Sequence, residues 1–267
     1  MARTASTRAA DPGAPDRRRQ ARAAQQAAAA RAKRRRLITQ LAIIGGVVVV
    51  VVAIIATAVA LGTRGRTAAA GTAPTGTGTT VVDGASVPFA IGGSGGTANG
   101  VRVGAGDAKV SMDLWVDYSC PHCQEFEATN DDTISSLVAS GKLAVTYHNI
   151  QVVTDYGTEA GSASACLAVH DPSAWPAFNA ALYANHTAAT DSWTARDFTT
   201  FARSNGGGDA TQRCITDGTY KGWITQNTAA STTAGVKGTP TMFIDGQQTD
   251  TLSGQALTDR VDQLASA

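Results

Sequence analysis

Lys109-Val110-Ser111-Met112-Asp113-Leu114-Trp115-Val116-Asp117-Tyr118-Ser119-Cys120-Pro121-His122-Cys123 is the stretch on which the reading of this chain turns. Val110, Met112, Leu114, Val116 and Tyr118 share one face. Lys109, Ser111, Asp113 and Asp117 share the other with Trp115. That alternation has period two and predicts a strand. Beyond it, Phe126, Ile134, Leu137 and Val138 recur at helical spacing. The Cys-x-x-Cys therefore sits where a strand hands over to a helix. Pro121 suits the first helical turn, where its missing N–H has no intrahelical partner to lose. Cys120 then falls at or near the N-cap.

The chemistry follows from that position. Free backbone N–H groups and the helix dipole put partial positive charge beside the Cys120 sulfur. A thiolate is stabilised there and its pKa falls. His122 adds a donor, and a full positive charge when protonated. Cys123 lies a turn further in and is expected to be more buried. The expected arrangement is an exposed, acidic Cys120 and a protected, resolving Cys123. Three readings compete for this pair. A zinc half-site needs two further ligands at suitable spacing, and His148, His170 and His186 form no second paired motif. A structural disulfide is open. The Pro-His between the cysteines at a strand-to-helix junction favours redox chemistry.

Working outward, the chain has 267 residues, with 43% hydrophobic and 16% charged residues. That speaks against disorder throughout and leaves room for one domain of ordinary size. Four cysteines are too few for a disulfide-scaffold protein. A net charge of +1 hides an asymmetry: residues 1–36 hold eleven Lys/Arg and two Asp, and the remainder eleven Lys/Arg against nineteen Asp/Glu. A uniformly basic nucleic-acid binder is excluded. Residues 1–36, rich in Ala and Arg, read as a disordered basic cytoplasmic segment. Residues 37–63 carry no charge and include six successive valines, Val47–Val52. The run exceeds the roughly 20 apolar residues needed to span a bilayer. It is also longer than the core of a cleaved signal peptide, so a retained anchor is expected despite the small-x-small Ala58-Val59-Ala60. Arg31, Lys33, Arg34, Arg35 and Arg36 before it place the carboxyl-terminal bulk outside the cytoplasm, with lipid contacted through the anchor. Residues 64–100 read as a flexible Gly/Thr/Ala linker, in which Val87–Ile91 is a candidate edge strand. Residues 101–267 form the folded domain.

Within that domain, Tyr156 to Ala234 reads as helical. Trp175, Phe178 and Leu182 make one stripe, Tyr220, Trp223 and Ile224 another, and Thr194 with Asp197 a capping box. Leu257, Val261 and Leu264 predict a terminal helix. Cys166 and Cys214 fall in the helical part. Outside the cytoplasm an even count invites a structural Cys166–Cys214 bridge, the alternative being two buried thiols. Downstream, Thr239-Pro240 precedes the strand-like Thr241–Ile244 and the hairpin signal Asp245-Gly246. A proline at the head of a strand belongs at an edge or turn.

Cys-Pro-His-Cys at a helix start, with Thr-Pro before Phe-Ile-Asp-Gly far downstream, resembles the thioredoxin superfamily. The long helical segment between the two motifs and the Pro-His pair resemble its DsbA-like, thioredoxin-4 type, membrane-anchored branch known from actinobacteria. The resemblance covers about residues 101–267. It implies an α/β thioredoxin-like fold with a helical insertion, about 156–234, between the Cys-x-x-Cys helix and the cis-Pro strand, preceded by one transmembrane helix. It also implies that Pro240 is cis beside Cys120, and that Thr239 and Pro240 hold an incoming substrate segment. The sequence departs from the family at Leu114, where many thioredoxin-like proteins carry a buried acid. Asp113 and Asp117 are expected on the other strand face and receive no catalytic role.

The expected function is extracytoplasmic thiol–disulfide exchange, oxidising cysteine pairs of exported proteins. Cys120 acts as nucleophile, Cys123 resolves, and His122 and Pro121 shape the site. No metal or organic cofactor is required. By family analogy a membrane redox partner, VKOR-like or DsbB-like, reoxidises the pair. The alternatives are a reductase, for example in cytochrome c maturation, and a non-catalytic tethered binding module.

Overall fold

The structure is a computed structural model that describes residues 72–92 and 100–267. The expected basic cytoplasmic segment 1–36 and the expected anchor 37–63 lie outside the described residues. Among the described residues no helix is long and apolar enough to cross a membrane.

One seven-stranded sheet organises the domain. Its strands are β1 (Gly76–Val82), β2 (Ala85–Ile91), β3 (Val101–Val103), β4 (Val110–Val116), β5 (Leu143–Asn149), β6 (Thr241–Ile244) and β7 (Gln247–Thr249). They lie in the order β1-β2-β3-β5-β4-β6-β7. β4 and β5 are parallel and joined by helix α1 (Pro121–Ala139), and the other neighbours are antiparallel. Between β5 and β6 the chain inserts α2 (Tyr156–His170), α3 (Trp175–Asn185), α4 (Ala195–Ser204), α5 (Asp209–Thr216) and α6 (Lys221–Thr233). The terminal helix α7 is Gln255–Ala265. This is the α/β thioredoxin-like architecture with a helical insertion.

The residue patterns account for these elements. The apolar face of β4 becomes core: Val110, Met112, Leu114 and Val116 are all buried. α1 covers them with Phe126, Ile134, Leu137 and Val138. Trp175, Phe178 and Leu182 of α3 are buried, as are Trp223 and Ile224 of α6. Asp197 Oδ2 accepts from Thr194 N at 2.8 Å and closes the start of α4. Asp245 and Gly246 both take positive φ, 49° and 74°, in the two-residue turn from β6 to β7, as such a hairpin turn requires.

The expectation of a flexible linker over residues 64–100 is corrected at Gly76–Ile91; residues 64–71 and 93–99 lie outside the described residues. Gly76–Val82 and Ala85–Ile91 form a hairpin that completes one edge of the sheet, with Val82 opposite Ala85. Asp83 and Gly84 make its turn with φ of 48° and 75°. Val82, Val87, Phe89 and Ile91 enter the core, and Phe89 packs on Trp175 with centroids 5.6 Å apart. Thr80 Oγ1 donates to Pro172 O at 2.9 Å, anchoring the edge to the insertion. β-branched threonines are strand formers once a sheet edge is there to receive them.

Cys166 of α2 and Cys214 of α5 are joined by a disulfide across a sequence separation of 48 residues. Both cysteines are buried, so the bridge staples two helices of the insertion from within. The chain-entropy model assigns a loop of that length about 4 kcal/mol. Replacing Cys166 and Cys214 together by Ala should lower the urea midpoint of the full-length chain accordingly. An unchanged midpoint would remove the bridge from the account of stability.

Candidate active site

β4 ends at Val116, and Asp117-Tyr118-Ser119 leads into α1. Cys120 is the N-cap, with φ −86° and ψ 121°, and Pro121 occupies the first turn. Gln124 N donates to Cys120 O at 3.0 Å, the first bond of the helix, and Cys120 N donates to Asp117 O at 3.0 Å. Across from the cap, the Thr239-Pro240 peptide bond is cis. Cys120 Sγ lies 3.3 Å from Thr239 O, which accepts from it when the thiol is protonated. The two sequence motifs, more than a hundred residues apart, thus meet at one sulfur atom.

Cys120 and Cys123 are free thiols. Cys120 is 5% exposed and Cys123 1%. The expectation of an exposed Cys120 is therefore corrected: the cis-Pro corner covers it, although it remains the more accessible of the two. Their acidities separate. Cys120 falls to about 5, chiefly because the Cys123 side chain hydrogen-bonds to its thiolate. Burial opposes this fall, and the Thr239 side chain and the backbone groups of Cys123 and His122 support it. These backbone donors belong to the opening turn of α1. Cys123 is driven far upward by that same hydrogen bond and by burial. At neutral pH one sulfur is an anion and the other holds its proton. His122 and Pro121 are exposed.

Asp117 is wholly buried, and the strand-face expectation is corrected here too. Its Oδ1 accepts from Ser119 N (2.8 Å) and Ser119 Oγ (2.6 Å). Its Oδ2 accepts from Val152 N (2.7 Å) and Val153 N (2.9 Å). Thr154 N donates to Ser119 Oγ at 3.1 Å. One carboxylate thereby fixes both the approach to Cys120 and the loop after β5. The fit is close: a Cβ at Gly157 would collide with Asp117 Oδ1. Gln124 Nε2 donates to Tyr183 O at 2.8 Å and ties the first turn of α1 to the insertion.

A second buried carboxyl, Glu127, stands one helical turn beyond Cys123. Leu114 itself is fully buried in the apolar core. Asn179 Nδ2 donates to Glu127 Oε1 at 2.6 Å, and Asn179 Oδ1 accepts from the Tyr118 hydroxyl at 2.7 Å. The Tyr118 hydroxyl also lies 2.9 Å from Ser164 Oγ, which accepts from Trp175 Nε1 at 2.9 Å. Burial, reinforced by the Asp131 charge, pushes Glu127 up to about 8. Sequence reading assigned Glu127 no role, and its place four residues after Cys123 was the signal for it.

Beside Cys120 a groove of about 510 Å³ runs along α1, closed on its other side by Thr239, Pro240 and the 251–253 loop. Asn130 holds the far end. Its Nδ2 donates to Phe126 O at 2.9 Å and its Oδ1 accepts from Gly254 N at 2.9 Å.

Residues 97–263 match the thioredoxin-4 family, described as Thioredoxin. Among solved structures, the chain is similar to oxidised DsbA of Mycobacterium tuberculosis (TM-score 0.56, 22% identity, 63% of this chain and 93% of that one). It is also similar to reduced DsbG of Mycobacterium tuberculosis (TM-score 0.54, 22% identity, 62% and 87%). A third is MdbA, a thiol-disulfide oxidoreductase from Corynebacterium diphtheriae (TM-score 0.51, 22% identity, 62% and 89%). These likenesses concern the fold. Among curated proteins, it is 31% identical over 160 residues to the serine/threonine-protein kinase PknE of Mycobacterium tuberculosis, which covers 55% of this chain. The chain spans only 28% of the length of that relative.

Proposed function

Because the chain belongs to the thioredoxin-4 family, we propose that it performs thiol–disulfide exchange outside the cytoplasm, in the direction of oxidation. A substrate thiolate attacks Cys120 Sγ of the Cys120–Cys123 disulfide. A mixed disulfide forms, and Cys123 leaves and takes up a proton. The second substrate thiolate attacks the substrate sulfur of the mixed disulfide and expels Cys120 as an anion. The substrate loses two electrons to become a disulfide, and the protein gains them as a thiolate and a thiol. The backbone of Thr239 beside Pro240 pairs with the substrate segment as an added strand. The substrates are exported proteins with cysteine pairs. A VKOR-like or DsbB-like membrane partner takes the electrons back, and the 37–63 segment anchors the domain to the outer face of the membrane.

The observation that carries this reading is the placement of Cys120 at the N-cap of α1, against the cis Thr239-Pro240 corner, where the Cys123 side chain above all draws its thiol down to about 5. Whatever stabilises that thiolate stabilises the reduced form and makes the disulfide the stronger oxidant. The same shift sets a pH dependence. In the reduced protein, Cys120 is already ionised between about pH 5 and the ordinary thiol range, whereas in the unfolded chain it is still protonated. The fold of the reduced form therefore gains stability as pH rises through that window and loses it as pH falls through about 5.

The test is equilibration of the full-length chain with glutathione buffers. An oxidising potential, on the order of −120 mV, is expected, and a value near −270 mV, typical of thioredoxin, would turn the proposed direction to reduction. Alkylation of Cys120 should follow a titration near pH 5, and one near pH 8.5 would remove its basis.

A further inference from the structure

The groove between His122 and Pro240 is not a plain apolar slot. Phe126 and Pro240 give it apolar wall, but Thr129, Thr251, Ser253 and Glu125 give it polar wall. Each of those four polar residues is exposed. Glu125 is the single carboxylate among the described lining residues, and it makes no ion pair with any described residue. Lys237 is exposed two residues before Thr239 but does not line the groove. A segment laid along the groove thus meets hydroxyl groups, the exposed His122 imidazole near the catalytic turn and, one helical turn further on, the Glu125 carboxylate.

We propose that this groove selects substrate segments that are polar and carry a basic side chain close to the reacting cysteine, with Glu125 as the specificity-determining residue. The proposal rests on the exchange reading above and names its substrate class. The spacing can be given. Glu125 is five residues past the N-cap cysteine, about 7.5 Å along the helix axis at 1.5 Å per residue. An extended peptide advances about 3.3 Å per residue. The side chain that meets Glu125 therefore stands about two residues from the substrate cysteine bound to Cys120. A carboxylate partly exposed at a groove wall discriminates modestly, by about two- to fivefold for a lysine over an alanine. The attraction weakens as salt shortens the Debye length.

The experiment uses the full-length chain in detergent, oxidised at Cys120–Cys123, and three dithiol peptides. They are identical except for Lys, Ala or Glu two residues from the attacking cysteine. The second-order rate constant of disulfide transfer is measured at 50 mM and 500 mM salt. The expected order is Lys over Ala over Glu, compressed at high salt, flattened by Glu125→Gln and inverted by Glu125→Lys. Equal rates for the three peptides, or an order that survives Glu125→Lys, would overturn the selection while leaving exchange intact. Failure of every peptide to react would overturn the exchange reading, and the selection with it.

Discussion

A Cys123→Ala variant is expected to accumulate mixed disulfides with exported proteins, while Cys120→Ser accumulates none and loses exchange altogether. The asymmetry follows from the two acidities. Cys120 is ionised at neutral pH and the more accessible sulfur, so it remains a nucleophile without its partner. Cys123 is 1% exposed, and although the hydrogen bond with Cys120 is lost when Cys120 is gone, burial still raises its thiol and bars access, so it cannot substitute. Removing Cys123 also removes the hydrogen bond that contributes most to the Cys120 shift. The alkylation midpoint of Cys120 should therefore rise in Cys123→Ala, yet stay below that of a free thiol, because the backbone donors of His122 and Cys123 persist. The check is a non-reducing gel of cells expressing each variant after acid quenching, with the double variant as the blank. Adducts of equal abundance in Cys120→Ser, or none in Cys123→Ala, would make the pair a structural or vestigial feature. The non-catalytic binding-module alternative makes that opposite prediction.

The parts of this site legible in the sequence were those set by short-range geometry. Strand alternation into Cys120-Pro121 placed the sulfur at a helix cap, and a proline at the head of Thr241–Ile244 marked a turn, which the family resemblance alone set against Cys120. What escaped depends on neighbours brought in from far along the chain. Asp117 falls one residue past the end of β4, where the alternation that put it on the polar face no longer applies. Its acceptors are then filled by backbone N–H groups 35 and 36 residues away. Glu127 is buried against the insertion, where its partner Asn179 lies 52 residues on. The hairpin Gly76–Ile91 carried its own signals, Thr79-Thr80-Val81-Val82 before Asp83-Gly84. Its Gly and Thr content reads as a tether until a sheet edge is available to pair with it. The Cys166–Cys214 pairing followed from compartment and count, while the contact itself is a property of two packed helices.

Glu127→Gln is expected to stabilise the folded chain at neutral pH and to leave it nearly unchanged at pH 4. Burial is the larger cause of the Glu127 shift to about 8, and the Asp131 charge adds to it. In the unfolded chain the same carboxyl titrates near 4.3. Between these values the native state keeps a proton that the unfolded state has released. Stability therefore falls as pH rises from about 4.3 to about 8, and levels off where the native carboxyl also ionises. At pH 7 the accumulated loss is on the order of 3 kcal/mol, a share of total stability large enough to move an unfolding midpoint plainly. Glutamine matches the carboxyl in size and keeps an oxygen to accept from Asn179 Nδ2, so the network through Tyr118 and Ser164 can persist. Unfolding the full-length wild type and Glu127→Gln in urea from pH 4 to pH 8 reads the difference directly. The gap should open with rising pH, at about 1.4 kcal/mol per unit. A gap of constant size would mean that Glu127 is ionised in the fold and that its burial is compensated by groups other than Asn179. A variant less stable at pH 8 would mean that the anion itself is needed beneath the active-site helix.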